Sequence, residues 1–390
     1  MAHKVNPDLA SELALYGAND LMTCFNCGNC TAVCPLSEGG TVFPRKLIRY
    51  AQIGLEDRLK SSIEPWLCYY CGECSATCPR EAGPGETMAA LRRYAIASAD
   101  PSGLAGLMYR RPTAAVLVTL ALAAVLGLFL TTLHHTHEFD AWIFRWIPYE
   151  VIHTVGMGVS AVLGVLMLAG VVNMLRRYGG GAGGIGGWLR SPGVMLAATR
   201  MTLVEIATMR RHSLCQKEER TPAAPWYLTP RWIHASIMWG FLGLFGATLL
   251  DFLFIYFLGW SAVPAARVLG TVAGLVMLYG VSVSLYQRGR GEASHLKNSV
   301  LADWWLLGFL FVLAVSGFWL ELAVTFRWHG TLDNAILVIH TVMALELVLL
   351  VTMTKLAHAL YRPLALWMFF LRQTMSAGDP NATPHEPMDG

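Results

Sequence analysis

Charged side chains are scarce in this chain. They make up 14% of the 390 residues, where a soluble globular protein carries about a quarter, which argues against a purely soluble protein. The net charge is only +3 and the basic residues are scattered, so nucleic acid finds no electrostatic footprint. The start, Met1-Ala-His-Lys-Val-Asn-Pro-Asp, has no basic segment leading into an apolar stretch with a cleavage site. No secretory signal is therefore expected, and the N-terminal part is expected to stay in the cytoplasm. Neither a C-x-x-C-H haem-attachment site nor an adjacent Cys-Cys pair occurs, which speaks against covalent c-type haem and against the paired-cysteine cluster of disulfide-reducing subunits. A flavin or nucleotide fingerprint is missing too, so chemistry on such a cofactor is not expected of this chain.

What the chain does contain is unevenly distributed. Met1 to Arg111 is rich in charge and holds eight of the nine cysteines; most of the remainder is long apolar runs. Because cytoplasmic thiols are kept reduced, eight ordered cysteines read as metal ligands before disulfides. Cys24-x2-Cys27-x2-Cys30-x3-Cys34-Pro35 and Cys68-x2-Cys71-x2-Cys74-x3-Cys78-Pro79 share the spacing of bacterial ferredoxins, in which three close thiolates hold one cubane and the fourth reaches the neighbouring one. This assigns one 4Fe-4S cluster to Cys24, Cys27, Cys30 and Cys78 and the other to Cys68, Cys71, Cys74 and Cys34. Structural zinc wants two pairs per ion and has no use for the third cysteine or the Cys-Pro. Leu47, Ile48, Ala51 and Leu55 recur at helical spacing and Glu86 to Ala99 reads as helix, so the domain is expected to be built of helices. Cys215 stands alone near Arg210, Arg211 and His212 and reads as an ordinary loop thiol.

About 20 consecutive apolar residues span a bilayer as a helix, and six segments qualify: 112–133, 149–175, 232–258, 264–287, 301–327 and 333–360. With the N-terminus inside, the interior loops collect Arg176, Arg177, Arg190, Arg210, Arg211, Arg231, Arg288, Arg290 and further basic residues, while the exterior turns hold Arg145, Arg267 and Arg327. The expected fold class is all-α: a helical two-cluster ferredoxin domain over 1–111, then a six-helix transmembrane cytochrome b bundle over 112–372. Within the latter, 178–231 is expected to be a cytoplasmic loop, Gly-rich at first and then an interfacial helix from Met195 to His212; 373–390 is expected to be disordered.

Ionisable residues within spans mark function by default. His340 and His358 lie on the sixth helix 18 residues apart, five turns on one face and about 27 Å along the axis. By depth His153 pairs with His340 near the outer surface and His234 with His358 near the inner one, giving ligands for two b-type haems. His134, His135 and His137 are rival outer ligands, and His212, His295 and His329 read as loop residues. Asp251, Glu321 and Glu346 are the quinone or proton candidates, Glu346 lying about 120° around its helix from the histidine face.

The ferredoxin half, on Cys24 to Pro35 and Cys68 to Pro79, resembles the C subunit of heterodisulfide reductase. The helical half resembles that enzyme's cytochrome b partner and the gamma subunit of respiratory nitrate reductase, and the fusion is similar to the QmoC family, membrane subunits of the quinone-interacting membrane-bound oxidoreductase. In the nitrate reductase relative the third helix carries two haem histidines; here it offers His234, with Leu244 standing roughly where the second would fall, so an outer haem would recruit His153. The resemblance implies that menaquinol is oxidised in the membrane and that electrons pass through haem b and two clusters to QmoA-like and QmoB-like flavin and iron-sulfur subunits, then toward adenylylsulfate reductase. A disulfide- or sulfite-linked reductase with other soluble partners would use the same wiring.

Overall fold

The computed structural model describes residues 4–37, 42–132, 142–179, 187–188, 190–211, 225–260, 263–291, 296, 298–328 and 330–377. His134, His135, His137, His212, Cys215, His295 and His329 lie outside the described residues. Among the described residues the structure is helical throughout, without strands.

The N-terminal part is a cluster of short helices: α1 (Leu9–Ala14), α2 (Asn29–Ala32), α3 (Arg45–Gln52), α4 (Glu56–Lys60), α5 (Glu64–Leu67), α6 (Glu73–Ala76), α7 (Pro84–Ala99) and α8 (Leu104–Arg110). Its small core closes because α3 turns Leu47, Ile48 and Ala51 inward against Leu9 and Leu13 of α1 and Met88 and Leu91 of α7. Glu56 ties this core together at the surface. Its carboxylate takes the Lys60 ammonium and accepts from the Tyr94 hydroxyl at 2.6 Å and from Asn6 Nδ2 at 3.0 Å. Those partners, Lys60 first, hold the carboxyl down at about 2. A folded-state value below the ordinary one contributes stability above about pH 4.5 and loses it as pH falls toward 2. Wild type is therefore expected to melt above Glu56→Gln at pH 7, with the gap closing between pH 5 and 3 when both are followed by circular dichroism in detergent.

Among the described residues six helices are long and apolar enough to cross a membrane. They are α9 (Pro112–Thr132), α10 (Tyr149–Tyr178), α12 (Pro230–Asp251, continued as a π-helix over Phe252–Phe257), α13 (Pro264–Arg290), α14 (Leu301–Thr325) and α15 (Thr331–Leu349). Between α10 and α12 lies α11 (Pro192–Thr208), and the last helix is α16 (His358–Ala377). The chain is a multi-pass membrane protein. With no hydrophobic drive between helices in lipid, small residues set the close approaches. A Cβ on Gly240 would stand 2.6 Å from the Met277 backbone nitrogen and one on Gly280 would stand 2.9 Å from the Ile233 carbonyl, so α12 and α13 meet backbone to backbone. α13 then packs on α14 and α14 on α15, while α15 also meets α9 and α10.

The sixth span differs from the expectation. A single helix over 333–360 is not formed: α15 ends at Leu349, Thr354 is extended at φ −102° and ψ −177°, a 3-10 turn covers Lys355–Ala357, and α16 begins at His358. The break has a local cause. The Thr354 hydroxyl donates back to the Leu350 carbonyl at 2.9 Å, and the Lys355 ammonium turns aside to meet Asp303 Oδ1 at 2.6 Å. His340 and His358 thus sit on different helices, and the shared helical face does not exist. The tail also begins later than expected, because α16 continues through Gln373 to Ala377, with the Arg372 guanidinium donating to the Tyr178 carbonyl and Met375 packed on the core.

α11 is fastened to the protein as well as being apolar outside. Thr199 accepts from Trp367 Nε1 of α16 at 3.0 Å, and Glu205 accepts from the Tyr69 hydroxyl, while Leu196, Leu203 and Val204 are exposed.

Candidate functional site

The two cysteine loops are local copies of one another. After Cys24 the chain passes through Asn26 at φ +57° and Gly28 at +92° into α2; after Cys68 it passes through Tyr70 at +57° and Gly72 at +90° into α6. Left-handed residues coil the backbone around the sulfurs. The Asn26 amide donates to Cys24 Sγ at 3.4 Å, the Tyr70 amide to Cys68 Sγ at 3.3 Å and the Ala82 amide to Cys78 Sγ at 3.4 Å. Such bonds stabilise thiolate charge and tune a bound cluster. Asn29 Nδ2 donates to the Thr77 carbonyl at 2.5 Å, tying the first loop to the end of the second.

The eight described cysteines are free thiols. Burial, then the neighbouring Cys24, Cys27 and Cys78, pushes the Cys30 thiol up to about 11. Burial, then Cys68, Cys71 and Cys30, pushes Cys34 up to about 12, against a backbone hydrogen bond from Leu36. Cys74 is raised by burial and by Cys68, Cys71, Cys34 and Cys30. The neighbours therefore fall into two groups, Cys24, Cys27, Cys30, Cys78 and Cys34, Cys68, Cys71, Cys74, with Cys30 nearest the seam. Thiols this reluctant to ionise in isolation become thiolates when iron supplies the opposing charge. Among the described residues no three His, Cys, Asp or Glu side chains converge on a single-ion site. A cubane spreads its thiolates over separate irons and does not require one.

At the end of the bundle facing this domain, His234 near the start of α12 and His358 at the start of α16 face one another, with ring centroids 6.1 Å apart and planes at 58°. Two imidazoles bound to opposite sides of one metal, each nitrogen about 2.0 Å from it, place their centroids about 6.3 Å apart, and their planes rotate freely about the common axis. His358 Nδ1 is hydrogen-bonded to the Lys355 carbonyl at 2.6 Å, which fixes the proton there and leaves Nε2 as the ligating nitrogen.

The outer histidines are placed differently. His340 Nδ1 pairs with Ser316 Oγ at 2.9 Å and its ring lies against Gly317 of α14. His153 Nδ1 is bonded to the Tyr149 carbonyl at 2.9 Å, and its ring stacks at 5.8 Å on Phe252 and 6.1 Å on Tyr256. Among the described residues no ring contact joins the two. Glu321 is occupied by Arg267, Nε to Oε1 at 2.7 Å, a brace between α14 and α13. Glu346 is 1% exposed, and its Oε1 has no hydrogen-bond partner.

Sequence reasoning passed over the residues that join the two halves. Arg92 of α7 donates to the Pro65 carbonyl at 3.1 and 3.0 Å and to the Cys68 carbonyl, and it lies close enough to His358 to act on its charge. Trp66 Nε1 donates to the Tyr178 hydroxyl at 3.3 Å, and its ring meets Tyr361 edge-on. The Arg362 guanidinium lies over the Tyr69 ring at 3.9 Å. Asp303, 5% exposed, binds Lys355 and has Arg288 at 3.8 Å. The sequence signal was Lys355 itself, a cation inside an apolar run three residues before a histidine. These contacts pack the Cys68 loop on α10 and α16, the helix that begins at His358, and leave the exposed Cys27 in the other cysteine group.

Residues 17–79 match the 4Fe-4S dicluster domain family. A 4Fe-4S dicluster domain followed by six apolar helices supports a role in electron transfer at a membrane. Over 97 residues the chain is 41% identical to a protein of Archaeoglobus profundus that is like the C subunit of heterodisulfide reductase, covering 23% of this chain and 52% of that protein. Over 63 residues it is 32% identical to the C subunit of the H(2):CoB-CoM heterodisulfide,ferredoxin reductase of Methanothermobacter thermautotrophicus and of Methanothermobacter marburgensis, covering 16% of this chain and 34% of each relative. The chain thus spans about half or less of the length of these curated relatives. No solved structure matches it.

Proposed function

We propose that this chain passes electrons between a membrane quinol, a b-type haem held by His234 and His358, and two 4Fe-4S clusters. One cluster would be ligated by Cys68, Cys71, Cys74 and Cys34, the other by Cys24, Cys27, Cys30 and Cys78. The observation carrying this reading is the pair of histidine rings 6.1 Å apart, with Arg92, bonded to the Cys68 carbonyl, acting on the charge of one of them. When bound, haem and clusters supply one-electron carriers. Arg92, which donates to the Cys68 carbonyl and acts on the charge of His358, supports an order in which the Cys68 cluster is nearer the haem and the second group, with Cys27 exposed, is nearer a soluble partner.

On this reading the cluster domain lies on the cytoplasmic side of the inner membrane, which the basic loops support. Menaquinol as donor, QmoA-like and QmoB-like flavin subunits as acceptors, and adenylylsulfate reductase beyond them complete the relay. Heterodisulfide reductase relatives favour a second version, with the same relay serving a disulfide-linked reductase whose chemistry lies in another subunit. Co-purified subunits decide between the two.

In purified protein, about eight cluster irons and at least one protohaem per chain are expected from the ligand counts, and a menaquinol analogue should reduce the haem absorbance and then the clusters. A second haem per chain would enlist His340 and His153, whose Nδ1 atoms are already bonded. Haem that quinol fails to reduce would remove the membrane end of the relay.

A further inference from the structure

Three cations crowd the His358 ring: Arg92, Lys355 and Arg362 all act on its charge. Lys355 and Arg362 stand three residues before and four residues after His358, so they flank it on one side of the chain. Arg92 arrives from α7, where burial, with repulsion from Arg362 and Arg93 and against the pull of Cys68, brings it down to about 10.

Two of the three have partners. The Lys355 ammonium meets Asp303 at 2.6 Å, and Arg92 donates to the Pro65 and Cys68 carbonyls. Arg362 is different: its guanidinium face rests on Tyr69, while its Nε and Nη2 are buried without any hydrogen-bond partner. The carboxylates around it are engaged elsewhere. Asp303 is bound to Lys355, and Glu205 accepts from the Tyr69 hydroxyl and the Arg211 amide. A guanidinium does not escape burial by losing its proton, and an uncompensated buried charge is costly. The site is built for an anion.

We propose that Arg362, with Arg92 beside it, receives the propionate carboxylates of the porphyrin held between His234 and His358. This rests on the haem reading above. The fork of N–H donors matches a carboxylate bidentately, and Arg362 lies one helical turn from the ligating histidine, about 5–6 Å between Cβ atoms. Stacking on Tyr69 fixes the guanidinium plane and leaves its edge for the ligand. Once it is paired there, the two propionate charges no longer weigh against reduction of the iron.

Two measurements on the full-length chain in detergent test this. First, Arg362→Gln should shift the haem reduction equilibrium about tenfold toward the oxidised form, about 59 mV lower for one electron, in a spectroelectrochemical titration. Cluster electron paramagnetic resonance signals should stay unchanged, and Arg362→Lys should restore most of the shift. Second, wild type prepared free of haem should bind haem dimethyl ester, whose carboxylates are masked, at least tenfold more weakly than haem. Equal affinities for the ester and the acid overturn the proposal. So does an Arg362→Gln protein with unaltered haem content and potential, or one in which only the clusters respond, which would give the guanidinium to the iron-sulfur charge. A wild type that takes up no haem in any preparation sinks the haem reading itself, independently of Arg362.

Discussion

Replacing His358 by alanine is expected to remove one b-type haem per chain while leaving about eight cluster irons in place. The expectation follows from how His358 is held. Its Nδ1 proton is pinned by the Lys355 carbonyl at 2.6 Å, and Lys355 is itself anchored on buried Asp303, so Nε2 is left as the nitrogen free to ligate, on a ring 6.1 Å from that of His234. A replacement of similar volume would not rescue the site, because what is lost is a bond to iron and not packing. His234→Ala should give the same loss or a five-coordinate, high-spin signal, and His340→Ala should leave this haem untouched. The pyridine haemochrome assay counts haem, and labile sulfide with cluster resonance counts the rest. Loss of the clusters with the haem retained would assign His358 to docking the N-terminal domain instead.

His358 also stands where the sequence stops being readable. Six spans were legible because each is a long apolar run bounded by Pro, Gly or charge, and helices begin at Pro112, Pro230 and Pro264. Cysteine spacing was legible because ligand chemistry fixes it. The sixth helix was not. Hydropathy averages over Thr354 and Lys355, whereas the chain is turned there by a hydroxyl bonded to its own backbone and by an ion pair with Asp303, 52 residues away. A pairing made over that separation leaves no periodic trace. His234 and His358 nevertheless meet, by way of the break and not of a continuous helix.

The same limit explains the acidic residues. Glu321 looks like an intramembrane carboxylate in sequence and proves to be the partner of Arg267 from the neighbouring helix. Glu346 lies buried on α15 with an unpartnered oxygen. Arg92 and Arg362, which join cluster loop to histidine, carry no signal in their own neighbourhoods; their meaning lies in Cys68 and Tyr69, reached only through the tertiary fold.

The second large effect concerns which cluster each Cys-Pro cysteine serves. Cys34→Ser is expected to cost about four of roughly eight irons per chain, and to take them from the cluster whose other ligands are Cys68, Cys71 and Cys74, more than 30 residues further along the chain. The reason is spatial: Cys34 has Cys68, Cys71 and Cys30 around it, whereas Cys30 has Cys24, Cys27 and Cys78. Cys78→Ser should cost the same amount of iron from the other cluster. Electron flow separates the two variants where iron counting does not. Arg92, bonded to the Cys68 carbonyl, also acts on the charge of His358, so losing the cluster of the Cys68 loop should leave the remaining one beyond the reach of quinol-derived electrons while the haem still reduces. Losing the distal cluster should leave the proximal one reducible and block only transfer to a soluble acceptor. If Cys34→Ser instead spares quinol reduction of the surviving cluster and Cys78→Ser abolishes it, each quartet is ligated by its own four neighbours in sequence and the crossover is wrong.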